Sequence, residues 1–258
     1  MRYLASAAVL LAFLAGTAAP VAAVDVLSRK VKSASLDPSD RGWQTVKAVR
    51  IPLLAQQFVP PFGGGATKFV EVKSLHTQGD VYFLLSWEDK TQSIKAGLSG
   101  KFLDGCALQF PIKPGIPPSF MMGQKGGPVN IWLWKSVVAD ERRLDKVYVD
   151  FYRSGSIDHR VHMFKPAQNL IAEGFSTLTL LPVQEVAGMG TWKDGRWTVV
   201  FKRRIQTQNG TSLRPDTTLP IAFAVWDGGG TERNGFKSLS LWHNLVLGGG
   251  KVAMTGKK

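Results

Sequence analysis

Polar and apolar positions along this chain alternate in short runs, and most runs have the two-residue period of a strand. Lys68–Leu75 and Val81–Trp87 flank Thr77-Gln78-Gly79-Asp80, whose Gly and Asp mark a hairpin turn. Val46–Ile51 alternates weakly, and Ala107–Pro111 is a short apolar run. Val129–Lys135 packs Ile131, Trp132, Leu133 and Trp134 together, too aromatic for an edge facing water. Lys146–Tyr152 alternates cleanly. Phe175–Leu181 is apolar and β-branched, and Arg196–Arg204 follows the turn Lys193-Asp194-Gly195. Ile221–Trp226 and Ser238–Leu247 complete the set. β-branched and aromatic strands separated by turn residues predict an all-β, antiparallel sandwich or barrel. Helix is scarce, with short ones expected at Val137–Leu144 and Ala167–Glu173. Three Gly/Pro-rich loops, Pro60–Ala66, Lys113–Pro128 and Asp227–Gly235, are of the kind that carries binding residues on a β scaffold.

The amino terminus has a different pattern. Arg2 precedes an apolar run from Leu4 to Gly16, and Val21-Ala22-Ala23 supplies the small residues of a cleavage site. Residues 1–23 are therefore expected to be a secretory signal peptide and 24–258 a single domain. The uncharged stretch from Tyr3 to Val24 also has the length of a membrane anchor, but Pro20 and the Ala-rich end favour cleavage. No other stretch is long enough to span a bilayer, so no membrane span is expected after cleavage, and the mature protein is expected to be periplasmic.

Composition narrows the chemistry. With 8 Trp, 14 Phe and 44% hydrophobic residues the chain of 258 residues is too apolar to be disordered. A single Cys excludes an internal disulfide, a cysteine-ligated zinc site and a covalently attached c-type haem. The net charge of +13 is scattered rather than clustered, and export makes nucleic acid a poor partner; an acidic protein partner or an anionic cofactor fits better. Gly63-Gly64-Gly65 and Gly228-Gly229-Gly230 lack the strand–loop–helix context of phosphate loops. There is no GxSxG or HExxH. His159 and His162 are three apart, which on a strand points them to opposite faces. Hydrolytic and acid–base machinery is not visible.

What remains is the loop Pro117-Pro118-Ser119-Phe120-Met121-Met122-Gly123, two methionines beside a glycine, leading into Pro128-Val129-Asn130-Ile131-Trp132-Leu133-Trp134-Lys135. Methionine usually fills apolar gaps, and its thioether occasionally serves as an axial haem ligand. These segments, with Ala107-Leu108-Gln109-Phe110-Pro111 before them, resemble the haem b-binding γ subunits of periplasmic molybdenum enzymes of the type II dimethyl sulfoxide reductase family. That group contains the ethylbenzene, dimethyl sulfide, selenate and chlorate oxidoreductases. A second block, Phe223-Ala224-Val225-Trp226-Asp227-Gly228, Glu232-Arg233-Asn234-Gly235 and Lys237-Ser238-Leu239-Ser240-Leu241-Trp242, resembles the same group.

The resemblance implies an immunoglobulin-like or DOMON-like β-sandwich holding one non-covalent haem b, its iron ligated by a Met sulfur and a Lys amine. It places the Met at Met122, with Met121 as the alternative, and the Lys at Lys202. Alternation along Arg196–Arg204 turns Lys202 away from the face of Trp197 and Phe201, which reads as a surface lysine; Lys135 is the competing ligand. A ligating lysine must be neutral, which at pH 7 costs about 4.6 kcal/mol from the ordinary pKa. Arg233 or Lys237 could pair with the haem propionates, or simply face solvent. The implied role is non-catalytic electron transfer. Its partners would be a molybdopterin catalytic subunit, an iron–sulfur subunit, and a periplasmic cytochrome or other electron carrier. A haem-free sandwich binding a carbohydrate or small apolar ligand on its tryptophans is the alternative, and a stand-alone haem protein a third.

Overall fold

The computed structural model describes residues 23–95, 100, 102–136 and 166–248. Fourteen strands run through them: β1 (Asp25–Lys30), β2 (Val49–Pro52), β3 (Leu54–Ala55), β4 (Phe69–His76), β5 (Asp80–Glu88), β6 (Gly105–Pro111) and β7 (Val129–Lys135), then β8 (Ala167–Ala172), β9 (Thr179–Leu180), β10 (Ala187–Lys193), β11 (Arg196–Arg204), β12 (Thr218–Trp226), β13 (Ser238–Leu239) and β14 (His243–Leu247). The one helical element is a short 3-10 turn at Arg41–Thr45, capped by the Asp40 side chain accepting from Gly42 N.

The strands join in the order β10-β11-β5-β4-β1-β14-β12-β6-β7-β8-β9. β12 switches partners along its length, pairing β14 through Thr218–Ile221 and β6 through Ala222–Trp226. The chain thereby forms two sheets that face each other. Their inward residues make one core: Val81, Phe83, Leu85 and Trp87 of β5 meet Cys106, Leu108 and Phe110 of β6 and Trp132 and Trp134 of β7. The aromatic contacts cross the interface, Phe83 to Trp132 at 5.8 Å and Trp134 to Trp197 at 5.1 Å between ring centroids. Each such ring contributes a few kcal/mol through burial, which makes this cluster the main stabilising element.

The expected all-β sandwich is present, with corrections. β1 runs parallel to both of its neighbours, β14 and β4, so the architecture is mixed rather than purely antiparallel. Ala167–Glu173 is not a helix but β8, antiparallel to β7. Its inward Asn169 breaks the apolar alternation, and the fold accommodates it with hydrogen bonds from Asn130 Nδ2 at 2.7 Å and from Asn169 Nδ2 to the Val183 and Asn209 carbonyls. Phe175–Leu181 contributes only the short β9, and Ser238–Leu247 is split into β13 and β14. Residues 1–22 of the expected signal peptide, the expected Val137–Leu144 helix and Lys146–Tyr152 strand, His159 and His162 lie outside the described residues. No helix among the described residues is long and apolar enough to cross a membrane.

Candidate cofactor-binding face

The outer face of the second sheet is built by alternation. In β6 and β12 the inward positions are Cys106, Leu108, Phe110 and Ile221, Phe223, Val225. The outward positions are therefore Gly105 and Ala107 beside Trp226 and Ala224, in register. β7 and β8 add Val129, Ile131, Leu133, Leu170 and Ala172. Small residues on two adjacent strands, walled by larger apolar ones and a tryptophan, make a flat apolar bed. Met122, Trp226, Trp242 and Leu180 pack on it, half-buried.

The methionine loop is fastened over this bed. Gln109 Nε2, from the outer face of β6, donates to the Phe120 carbonyl at 3.0 Å, and Trp242 Nε1 donates to the Pro118 carbonyl at 2.7 Å. The Phe120 ring meets Phe58 edge-on at 5.1 Å. Gly123 N closes a turn on the Ser119 carbonyl and Gly174 N donates to the Met122 carbonyl. Met122 itself has φ of 66°, a left-handed conformation unusual for a side-chain-bearing residue. The two hydrogen bonds hold this backbone conformation and with it the direction in which the Met122 side chain leaves the chain. Met121 is also half-buried but is not packed in the apolar cluster.

The lysines separate sharply. Lys202 projects from the outer face of the other sheet, where it pairs in register with Tyr82, beyond the core from the methionine loop. Its Nζ lies 3.2 Å from Asp80 Oδ2 and 5.5 Å from the Tyr82 ring centre. Burial is the largest single influence and lowers its pKa, but the hydrogen bonds and charges of Asp80 and Tyr82 together outweigh it and hold the pKa above the ordinary lysine value. The structure does not bring Lys202 to Met122: it lies on the outer face of the other sheet, paired with Asp80.

Lys237, which the sequence offered only as a propionate partner or a solvent-facing residue, is buried on the same face as Met122. β12 and β13 pair Val225 with Ser238, so the preceding residue, Lys237, stands beside Trp226 on the outer face, its Nζ 5.3 Å from that ring's centre. It is only 9% exposed. Part of its cover is the triple-glycine loop: a side chain at Gly64 would collide with the Lys237 backbone, and Gln56 N donates to the Lys237 carbonyl at 3.2 Å. Burial alone pushes the amine down to about 8, with no carboxylate opposing it. Neutralising it at pH 7 then costs about 1.4 kcal/mol instead of about 4.6. Lys135 lies on the same face: Gly105 pairs with Lys135 on one side and with Trp226 on the other. Burial lowers its pKa as well. The available signal in the sequence was the antiparallel partnership of Trp226-Asp227-Gly228 with the Phe236-Lys237-Ser238 stretch, which sets Lys237 opposite a tryptophan.

Arg233 is exposed, stacked 4.4 Å from the Phe102 ring centre. Trp87, Trp132, Trp134 and Trp197 are core residues, so the tryptophans available to a ligand on this face are Trp226 and Trp242.

Fold and site together define an all-β protein whose second sheet presents an apolar bed, a fixed methionine and a buried, unpaired lysine. The chain belongs to the ethylbenzene dehydrogenase family, whose sequence model matches residues 40–175 and 176–238. It is 29% identical over 237 residues to a Haloferax mediterranei protein named as a respiratory nitrate reductase haem subunit, covering 91% of this chain and 76% of that one. It is 27% identical over 213 residues to the chlorate reductase subunit gamma of Ideonella dechloratans, covering 81% and 78%. It is 28% identical over 220 residues to the dimethylsulfide dehydrogenase subunit gamma of Rhodovulum sulfidophilum, covering 80% and 72%. Among solved structures, a family 9 carbohydrate-binding module from Caldicellulosiruptor kristjanssonii overlays with a TM-score of 0.48 at 9% identity, covering 91% of this chain and 98% of that one.

Proposed function

We propose that this chain is a haem b electron-transfer subunit of an oxidoreductase complex, exported after loss of residues 1–23, with Met122 and Lys237 as its axial ligands. The observation that carries the reading is Lys237: a buried amine with no carboxylate partner among the described residues, on the same apolar face as a methionine whose backbone the fold fixes. Haem bound on this face supplies one-electron exchange between Fe(II) and Fe(III). The residues fit that group by their donor types: Met122 offers a neutral thioether and Lys237 an amine already close to neutral. Ala107 and Ala224 keep the bed low, and Trp226, Trp242, Ile131 and Leu133 make its surroundings apolar. A thioether ligand favours the reduced metal and raises the potential. Met122 and Lys237 would hold the haem iron, which would leave the subunit to exchange electrons rather than bind substrate. The subunit names of its relatives support a setting beside a molybdopterin catalytic subunit and an iron–sulfur subunit. A periplasmic cytochrome or similar carrier is the remaining partner.

The test is an optical spectrum of the purified chain, followed by affinity capture from its native host. The reading expects about one haem b per chain, low-spin in both oxidation states and reducible by dithionite, and co-purification of large molybdenum and iron–sulfur subunits. A chain that takes up no haem on reconstitution, or whose haem is high-spin, overturns it.

A further inference from the structure

Away from the Met122 loop, three aspartates converge where strand ends of the two sheets meet. Asp89 follows β5, Asp104 precedes β6 and Asp227 follows β12, and one carboxylate oxygen from each lies within 4.8 Å of the others. Asp89 is 3% exposed and Asp104 fully buried. Among the described residues no lysine or arginine pairs with any of the three. Backbone donors hold the carboxyls in place: Ser93 N and Gly228 N on Asp104 at 2.7 and 2.8 Å, Thr91 N on Asp89 Oδ1 at 3.0 Å, and Gly230 N on Asp227 Oδ1 at 2.7 Å. Trp197 Nε1 adds a further bond to Asp104 Oδ2 at 2.9 Å.

One atom does not fit a purely structural cluster. Asp89 Oδ2 is buried and accepts no hydrogen bond from the described residues, although its carboxyl stands among two other acids. An acceptor-only oxygen with no donor, in a site of concentrated negative charge, is a group positioned for a cation. Burial and the neighbouring acids both push the Asp89 carboxyl up, so the cluster is poorly stabilised as it stands.

We propose that Asp89, Asp104 and Asp227 bind a hard divalent cation, calcium foremost, which fastens the Asp227–Phe236 strap to the ends of β5 and β6. The donors are all oxygen, with no imidazole or thiolate among them, which suits calcium or magnesium rather than zinc or copper. Three carboxylates from three separate strand ends leave the remaining positions to backbone carbonyls and water, as calcium's larger and more flexible shell permits. The Gly228-Gly229-Gly230 tract, which has no phosphate-loop context, gains a role here: it turns the chain so that Asp227 and the Gly228 amide both reach the cluster. Asp227 begins the strap that ends at Lys237, but the cation site stands without the haem assignment.

The test uses the full haem-free chain stripped with a chelator. Calcium chloride, magnesium chloride or manganese chloride is titrated in by calorimetry and thermal melting, with sodium chloride of equal ionic strength as the control. The expected result is one calcium per chain and a melting temperature raised by about 5 °C at a hundredfold excess over Kd. Asp89→Asn keeps the Oδ1 acceptor for Thr91 and removes a charge; it should bind at least tenfold more weakly. Asp227→Asn, at a half-buried position, serves if Asp89→Asn does not fold. Binding of magnesium or manganese alone, lost in the variant, supports the site with a smaller ion. No heat and no shift with any of the three ions, a shift reproduced by sodium chloride, or variants that bind as the wild type overturn it.

Discussion

Lys202 and Lys237 lie on opposite outer surfaces of the sandwich, each beside an aromatic ring, and their surroundings give them opposite chemistry. Lys202 stands over Tyr82 with Asp80 at 3.2 Å, open to water, and stays a cation. Lys237 stands beside Trp226 under the triple-glycine loop with no acid paired to it among the described residues, and burial draws its pKa to about 8. A charged amine has no lone pair to offer a metal, whereas an amine stripped of water and counter-ion is most of the way to being a ligand. Arg203 sharpens the contrast. It is 1% exposed and sits over Trp132 at 4.5 Å, but its guanidinium donates to Asn130 Oδ1 at 2.9 Å and to the Thr211 carbonyl. A buried cation that is fully hydrogen-bonded belongs to the framework. A buried amine with no carboxylate partner among the described residues has no such place in the framework.

The largest expected effect falls on Lys237. Lys237→Ala should abolish the low-spin spectrum and weaken haem retention at least a hundredfold, beyond the 10–100-fold typical of outer-shell changes at metal sites. Lys237→Met, of similar length but without the charge, should lose the spectrum while leaving the haem-free fold at least as stable, since it removes a desolvated amine. Loss of folding in Lys237→Met, read by chemical denaturation, would make the lysine structural and break the contrast.

Next comes Arg203. Arg203→Ala is expected to cost about 3–5 kcal/mol of stability, because it leaves the Thr211 carbonyl without its donor and opens a cavity against Trp132. Denaturant melts of the haem-free chain measure it directly. A cost below about 1 kcal/mol would show that hydrogen bonding does not distinguish the two buried cations.

Met122→Ala ranks third. The reading expects a lower haem potential and weaker retention by about tenfold, measured by redox titration and haem transfer, with Met121→Ala close to wild type. The reverse result would shift the thioether to Met121 and leave Lys237 in place.

How much of this was legible beforehand differs between elements for physical reasons. Val129–Lys135 and Arg196–Arg204 were readable to the residue, because aromatic and β-branched content marks a strand wherever it lies. β10 was not readable. Its Ala187-Gly188-Met189-Gly190 stretch has the composition of a loop; it is a strand because it pairs with β11, and Gly190 is glycine because a side chain there would collide with Trp134, a demand visible only across the sandwich. β8 reads as a helix from its Ala and Gln, and its inward asparagine makes sense only with Asn130 in view. The methionine pair and the apolar wall were legible because they sit in contiguous segments. The lysine was not, because what separates Lys237 from Lys202 is the presence of Asp80 beside one and of glycine-loop cover over the other, and neither neighbour is adjacent in the chain.

The smallest expected effect is the one that most directly tests the reassignment. Lys202→Ala removes one half of an ion pair whose side chains are 36% and 28% exposed. Pairs this open to water contribute about 0–1 kcal/mol and are screened by salt. The variant should melt within about 2 °C of wild type at low ionic strength, and within less at about 0.5 M salt, where the Debye length is shorter than the spacing of most surface charges. Its haem spectrum and potential should match the wild type, because the far outer sheet face does not reach the Met122 bed. A high-spin or haem-free Lys202→Ala protein that melts normally would mean that the iron takes its amine from this face, and that the Asp80 pair opens to release it.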